Sequence, residues 1–271
     1  SSIISTKGIK TELDKMQYTE EENELTENVR DDVLRTPTDI IIKDLMFSYE
    51  EKQVLKNINL HIEAGKKYLL VGASGSGKSS LLRILAKFSN DYSGSILVNS
   101  SDLKEIDKKE WYSQTSMSMQ ESVLFHDTLY NNMTLWDGLS NENLQQYIQE
   151  LNLTSLVEEN GMNYDCTNGG SNFSGGEQQR IALIRILLES KALLLIDEAT
   201  SALDYANYLK VESILLNRNN STVINITHKI HPEIARQYDR VIFLKQGTVA
   251  AIGTYDQLIQ NEKEFQEFMQ L

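Results

Sequence analysis

Apolar and polar positions follow the periods of strands and helices in the first half of the chain. Residues 39–49 and 58–64 predict two strands, and the second has the alternation of a half-buried strand. The next apolar run, residues 67–71, is short and almost without polar positions, which favours a central strand covered on both faces. Residues 78–88 then show helical spacing. A buried strand followed by an amphipathic helix is therefore predicted.

The second half alternates between the same two periods. A strand pair is predicted at 94–100 and 116–120, and two short helices are predicted at the end of the chain. Between these segments we expect helices at 141–153 and 205–216 and strands at 192–196, 222–227, 240–244 and 247–254. Alternation of this kind predicts an α/β fold in which a mostly parallel sheet lies between helices.

Residues 1–38 differ in composition from the rest of the chain. They contain an acidic block and few large apolar residues, which favours a flexible or loosely helical leader. Ile9, Leu13 and Met16 have helical spacing and favour a helix that continues from upstream. Because the chain begins with serine, we expect a fragment of a longer protein, with a leader at 1–38 and a folded domain at 39–271.

Composition restricts the class of protein. The formal net charge of -13 over 271 residues argues against a partner such as nucleic acid, whose phosphates a binding protein must neutralise. The single cysteine, Cys166, cannot form an internal disulfide and fits a reducing compartment. Apolar runs stay below the roughly 18 residues that a membrane-spanning helix needs. We therefore expect the chain itself to lie in the cytosol.

The stretch LLVGASGSGKSSLLRIL, residues 69–85, carries the most specific motif. Gly72, Gly77, Lys78 and Ser79 fit the spacing G-x-x-x-x-G-K-[ST] of a phosphate-binding loop. Glycines let the backbone approach phosphates closely, and the following helix N-terminus supplies N–H groups that favour anions. The lysine can reach the β- and γ-phosphates, and the serine hydroxyl can bind Mg²⁺. The loop therefore predicts a site for a nucleoside triphosphate.

Two carboxylates follow the apolar strand at Ala192–Ile196. Asp197 and Glu198 stand at its carboxyl end, which is the end where open α/β sheets bind ligands. We expect Asp197 to hold Mg²⁺, directly or through water, and Glu198 to polarise the attacking water.

A second anion site is predicted in NFSGGEQQR, residues 172–180. Ser174, Gly175 and Gly176 open a helix there, so that a serine hydroxyl lies beside backbone N–H groups. One chain need not use both helix ends on the same nucleotide. A pair of subunits could do so, with each offering its second helix end to the nucleotide of its neighbour.

These motifs, in this order, resemble the nucleotide-binding domain of ATP-binding cassette (ABC) transporters over residues 39–271. The resemblance implies a P-loop NTPase core with a mostly parallel sheet flanked by helices, an antiparallel β subdomain and a helical signature subdomain. Residues 72–79 would be the Walker A loop and 192–198 the Walker B strand. Residues 173–177 would be the signature, here FSGGE where LSGGQ is commoner.

The resemblance also implies roles for single residues, with ATP and Mg²⁺ as ligands. Catalysis would fall to Glu198, His228, Lys78 and Gln120. Contacts with ATP would come from Tyr49, Val54, Gly72, Ser74, Gly75, Ser76, Gly77, Lys78, Ser79, Ser80 and Asp197, and across a dimer from Ser174, Gly175, Gly176 and Asp204. Ligands of Mg²⁺ would be Ser79, Gln120 and Asp197. By pattern alone, Tyr49, Gln120 and His228 also fit a strand aromatic, a surface amide and a core-edge histidine.

In the family that the chain resembles, two such domains form a head-to-tail dimer with two ATP molecules between them. The resemblance therefore implies a second ABC domain, identical or related, as a partner. ATP would favour the closed dimer and ADP would not, because contacts of the γ-phosphate are lost on hydrolysis. The presence of Glu198 predicts a competent ATPase.

The run QESVLFHDTLYNNM resembles the exporter pattern, in which Leu124, Phe125 and Thr128 precede a short helix. This implies a transmembrane domain upstream in the same polypeptide and a location on the cytoplasmic side of the cell membrane. Asn168 departs from the pattern, since exporters usually carry glutamate six residues before the signature serine. Two alternatives are a stand-alone ATPase subunit of an importer and a non-transport family member that works on chromosomes or ribosomes.

Overall fold

The computed structural model describes residues 37–118, 123–136, 141–167, 169–189, 191–228 and 230–270. The prediction of a leader at 1–38 therefore lies almost wholly outside the described residues. The assignments of Gln120 and Asn168 also lie outside them.

The described part of the chain alternates strands and helices. Its strands are β1 (Ile40–Tyr49), β2 (Lys52–Ile62), β3 (Lys67–Val71), β4 (Ser93–Val98), β5 (Ser101–Asp102), β6 (Thr115–Ser118), β7 (Leu193–Asp197), β8 (Thr222–Ile226), β9 (Arg240–Lys245) and β10 (Thr248–Gly253). Its helices are α1 (Lys78–Leu85), α2 (Lys108–Gln114), α3 (Leu129–Thr134), α4 (Asn141–Glu150), α5 (Thr154–Asn160), α6 (Gly175–Leu188), α7 (Tyr205–Leu216), α8 (Pro232–Ala235), α9 (Tyr255–Asn261) and α10 (Lys263–Met269).

The described strands form two sheets. One is antiparallel, in the order β2-β1-β4-β5. The other has the order β10-β9-β3-β8-β7-β6 and is parallel except where β10 pairs with β9. This arrangement confirms the predicted mostly parallel sheet and the antiparallel subdomain.

The strands predicted at 94–100 and 116–120 exist as β4 and β6, but the prediction that they pair is wrong. β4 lies between β1 and β5, so neighbours within its own sheet already occupy both of its edges. The chain then passes through α2, and β6 joins the other sheet as a parallel edge strand beside β7.

Successive residues of the central strands enter different hydrophobic cores. In β3, Leu70 packs with α1 and the antiparallel sheet, whereas Leu69 packs toward the C-terminal helices. In β7, Leu193 belongs to the first of these cores, and Leu194 packs against the helical region that contains α3 to α6. Because both faces of each strand are covered, β3, β7 and β8 are buried at every position.

A buried carboxyl group links α7 to β8. Glu212 is fully buried and accepts hydrogen bonds from Asn225 Nδ2 at 3.0 Å and from Tyr238 Oη at 2.6 Å. Burial raises the pKa of Glu212 to about 7, because the ionised form loses its solvation. Glu212 lies in α7 and Asn225 in β8, so their hydrogen bond holds α7 against β8, the strand that precedes His228.

We expect Glu212→Gln to remove a pH dependence of stability. The wild-type carboxyl ionises near pH 4.5 in the unfolded chain and near pH 7 in the folded chain. Its contribution is therefore fully present below about pH 4.5 and is lost by about pH 7. The loss is about 3 kcal/mol, since one pKa unit corresponds to about 1.4 kcal/mol. In urea denaturation, the variant should be more stable than wild type at about pH 8 and similar to it at about pH 4.5.

Glu159→Gln is the matched control, because Glu159 is exposed on α5. It should leave the pH dependence unchanged. An equal free-energy difference between Glu212→Gln and wild type at both pH values would contradict the role given to this buried carboxyl.

Candidate functional site

A loop of residues 72–77 connects the buried strand β3 to α1, and two of its glycines are required by close packing. Gly72 has φ 151°, and a Cβ atom there would lie 2.1 Å from the backbone oxygen of Leu244. Gly77 has φ 105°, and a Cβ atom there would lie 2.7 Å from Leu55 Cδ2. Larger residues would therefore displace the loop from β9 and β2.

The side chain of Lys78 turns back into this loop. Its Nζ donates hydrogen bonds to the backbone oxygens of Gly72 at 2.8 Å and Ala73 at 3.1 Å. Burial lowers the pKa of Lys78, against the opposing effect of the Glu198 and Asp197 carboxylates. The loop therefore holds an ammonium group beside the N-terminus of α1, in a position suited to phosphate.

A hydroxyl group and a carboxylate meet where α1 begins and β7 ends. Ser79 Oγ donates a hydrogen bond to Asp197 Oδ1 at 3.1 Å. Burial raises the pKa of Asp197 more than this hydrogen bond lowers it. Both groups supply the oxygen ligands that Mg²⁺ prefers, and a protein commonly holds Mg²⁺ through one or two such groups together with substrate phosphates and water. The pair therefore fits Mg²⁺.

Glu198 and His228 form a close pair at the carboxyl ends of β7 and β8. His228 Nε2 lies 2.6 Å from Glu198 Oε1. Glu198 has φ 54°, which is uncommon for a residue other than glycine, and its N–H donates to the backbone oxygen of Ile226 at 3.0 Å. The left-handed turn directs the carboxylate into the same cleft as the loop lysine.

These groups line one cleft with a volume of about 480 Å³. The cleft is lined by Tyr49, Lys52, Gln53, Val54, Lys56, Ser74, Gly75, Gly77, Lys78, Ser79, Ser80, Glu198, His228 and Gln246. Gly72 and Ser76 complete the loop of residues 72–77. Asp197 lies next to the cleft, where it accepts the hydrogen bond from Ser79. Ten of the residues assigned from the sequence are therefore brought together here: Tyr49, Val54, Ser74, Gly75, Gly77, Lys78, Ser79, Ser80, Glu198 and His228.

Four polar residues of the cleft were missed by the sequence reading. Lys52, Gln53 and Lys56 come from β2, which follows the tight turn after Tyr49, and Gln246 comes from the turn between β9 and β10. Polar residues close after the aromatic Tyr49 are the only signal in the sequence for the first three. Gln246 is 168 residues beyond Lys78 along the chain, and only the pairing of β9 with β3 reveals it.

The remaining assigned residues lie at the N-termini of two helices. Ser174 is the N-cap of α6, and Gly175 and Gly176 form its first turn. Asp204 is the N-cap of α7, and the backbone N–H of Asn207 is the main cause of its lowered pKa. None of these four assigned residues lines the cleft, although all four are described.

Comparisons with known proteins support the family resemblance. The profile of the ABC transporter family matches residues 55–201, just over half of the chain. The microcin-J25 export ATP-binding/permease protein McjD of Escherichia coli is 35% identical over 226 residues, which cover 82% of this chain and 39% of that protein. The chain belongs to the ABC transporter family. An ATP-dependent lipid A-core flippase of Desulfotalea psychrophila is 32% identical over 227 residues, again 82% of this chain and 39% of that protein.

The solved structure of a bacterial Atm1-family ABC exporter with ATP bound has the same fold as this ABC transporter chain. The TM-score is 0.81 at 27% identity, with 88% of this chain and 42% of that chain covered. All three proteins are exporters or flippases by name, which confirms the exporter-type resemblance and does not favour an importer. The chain spans about 39% of the length of the curated relatives. Within the described residues, no helix is both long and apolar enough to cross a bilayer.

We expect Lys78→Ala to weaken ATP binding by the ABC domain on the order of 10- to 100-fold, because a hydrogen bond to a charged group contributes about 1.5–3 kcal/mol. Isothermal titration of the purified chain with ATP in the presence of Mg²⁺ measures the effect. Lys263→Ala is the matched control, since that side chain is 87% exposed and does not line the cleft. Equal affinity in the two variants would contradict the assignment of Lys78.

Proposed function

We propose that the chain binds ATP with Mg²⁺ and hydrolyses it, and that it powers the export of a substrate across a membrane. The observation that carries the proposal is the convergence of three groups in one cleft. They are the loop lysine Lys78, the Ser79–Asp197 pair and the Glu198–His228 pair.

Each group has a separate task in phosphoryl transfer. Lys78 neutralises charge on the β- and γ-phosphates, and the loop N–H groups position them. Ser79 and Asp197 would hold Mg²⁺, which supplies charge neutralisation at the phosphate oxygens when it is bound. Tyr49, about half exposed at the edge of the cleft, offers its ring to the adenine base.

Glu198 is the general base in this proposal. Its carboxylate accepts a proton from the attacking water, and His228, 2.6 Å away, holds that carboxylate in position. A positioned general base increases a rate by about 10²- to 10⁴-fold, or roughly 3 to 5 kcal/mol of barrier. Gln120, next to these residues in the family pattern, is proposed as a further ligand of Mg²⁺.

The functional unit is proposed to be a head-to-tail dimer. Ser174, Gly175, Gly176 and Asp204 stand at helix N-termini that do not line the chain's own cleft, which supports their use on the nucleotide of a partner. Each ATP would then lie between the loop of one subunit and α6 of the other. Hydrolysis removes the γ-phosphate contacts, so the closed dimer is favoured by ATP and released with ADP.

The proposed partner in transport is a transmembrane domain in the same polypeptide, joined through the leader at 1–38 to the domain at 39–271 on the cytoplasmic side of the membrane. An exposed apolar surface around α3 supports docking there. Val123, the first described residue of the exporter-like run, is 56% exposed, and Trp136, three residues after the run, is 53% exposed. Half-buried Arg185 of α6 donates to the backbone oxygen of Val123 at 2.8 Å, so this surface is tied to the signature helix.

We expect Glu198→Gln to bind ATP with Mg²⁺ but to lower the rate of hydrolysis by about 10²- to 10⁴-fold, since the amide cannot accept the proton. The uncleaved ATP should keep the dimer closed. Release of phosphate measures hydrolysis, and light scattering after size exclusion measures the dimer. Glu159→Gln, which removes the same charge from exposed α5, should behave as wild type.

A wild-type rate in Glu198→Gln would remove this residue from the mechanism. Loss of hydrolysis without an ATP-dependent dimer would leave the cleft assignment standing and would contradict the proposed two-chain site.

A further inference from the structure

The N-terminus of α6 already holds an anion from its own chain. Glu177 Oε2 accepts hydrogen bonds from both the Oγ and the backbone N–H of Ser174, each at 2.7 Å. In return, the backbone N–H of Glu177 donates to Ser174 Oγ at 3.3 Å. One carboxylate oxygen therefore occupies both donors of Ser174, the residue that caps the helix.

The charge of Glu177 is the unusual part of this contact. The signature of this chain reads FSGGE, whereas glutamine is commoner at the last position. Glutamine has an oxygen that can accept the same hydrogen bonds, but it carries no charge. A carboxylate in the first turn favours the free helix, through the reciprocal cap and through the helix dipole.

The neighbouring charges do not cancel that of Glu177. Arg180 lies one turn further along α6, and a Cβ atom on Gly176 would lie 3.4 Å from its Nη1. Arg180 makes a small contribution to the lowered pKa of Asp204, so its charge acts on that carboxylate as well. Gln179 links α6 to the segment before α7, because its Oε1 accepts a hydrogen bond from the backbone N–H of Ala202 at 2.9 Å. Arg180 can offset only one of the two carboxylates, Glu177 and Asp204, so these three side chains together carry a charge of -1.

We propose that Glu177 competes with the γ-phosphate of the partner's ATP for Ser174, and so sets the ATP concentration at which the dimer closes. This inference rests on the proposed function. A phosphate oxygen can accept from the Ser174 hydroxyl only after Glu177 Oε2 has released it. The displaced carboxylate then remains in the first turn of α6 as a like charge beside the phosphate, which opposes closure.

The role of Glu177 is therefore to position and restrain the signature helix, and it takes no part in the chemical step. Its charge should affect the assembly of the site, with little effect on turnover once the dimer has formed. Salt should weaken the effect, because the N-terminus of α6 is exposed and exposed charges are screened.

The test uses the full chain with Glu198→Gln as the parent, so that ATP is retained. Addition of Glu177→Gln should lower the ATP concentration for half-maximal dimerisation about tenfold at about 50 mM salt, and by much less at about 500 mM salt. Light scattering during a titration with ATP and Mg²⁺ measures this. Addition of Glu159→Gln to the parent is the control for overall charge.

Glu177→Ala separates loss of charge from a new contact, because the alanine side chain has no amide that could donate to phosphate. This variant should also dimerise at a lower ATP concentration than the parent, and thermal denaturation checks that it is folded. If Glu177→Gln lowers the ATP concentration for half-maximal dimerisation but Glu177→Ala does not, the effect comes from the new amide contact and the proposal is overturned. Equal titrations for the parent and Glu177→Gln at both salt concentrations would also overturn it.

Failure of the proposed function gives a different result. In that case the parent itself would bind ATP with Mg²⁺ and remain monomeric at every ATP concentration. The site at which Glu177 is proposed to compete would then not exist, and both proposals would fall together.

Discussion

Close backbone packing around the loop between β3 and α1 is the constraint on which the cleft depends. Gly72 lies where a Cβ atom would meet the backbone oxygen of Leu244, and Gly247 lies where one would be 2.3 Å from the backbone oxygen of Val54. These contacts hold three segments together: the turn after β9, strand β2, and the loop between β3 and α1. The ammonium group of Lys78, the N-terminus of α1 and the ring of Tyr49 can therefore surround the same small volume.

Parallel pairing then supplies the remaining groups. β3 lies next to β8, and β8 lies next to β7, so the carboxyl ends of the three strands meet at one edge of the sheet. Lys78 follows the end of β3, Asp197 and Glu198 lie at the end of β7, and His228 follows the end of β8. Lys78 and His228 are nevertheless 150 residues apart in the sequence. All three strands are buried at every position, so packing on both faces supports the groups at this edge.

The sequence predicted those parts of the fold in which local pattern and tertiary contacts agree. β3 and α7 have the predicted boundaries, because β3 is an almost wholly apolar run and the side chain of Asp204 caps the start of α7. α1 ends at Leu85, three residues before the predicted end. Lys87 has φ 60°, and its Nζ donates to the backbone oxygens of Leu103 and Lys104, a contact with distant residues that the helical repeat cannot show.

The candidate site divides in the same way. The loop and the acidic pair follow from motifs whose chemistry is local, whereas Gln246 enters the cleft only through strand pairing. The reciprocal cap at Ser174 and Glu177 could have been predicted from the spacing S-x-x-E, but the sequence reading treated Ser174 as a free anion site. Its occupation by the chain's own carboxylate became visible only with the side-chain contacts.

The central claim is that each ATP site is built from two chains, and mixing two inactive variants tests it most directly. Lys78→Ala weakens ATP binding at the loop, so the assay uses an ATP concentration too low to occupy this variant. Gly175→Asp adds a carboxylate at the N-terminus of α6, where a Cβ atom meets nothing within 4 Å. A mixed head-to-tail dimer contains one site with both defects and one intact site, so the mixture should hydrolyse ATP although neither variant does so alone. A mixture as inactive as its components, with both variants folded, would contradict the account.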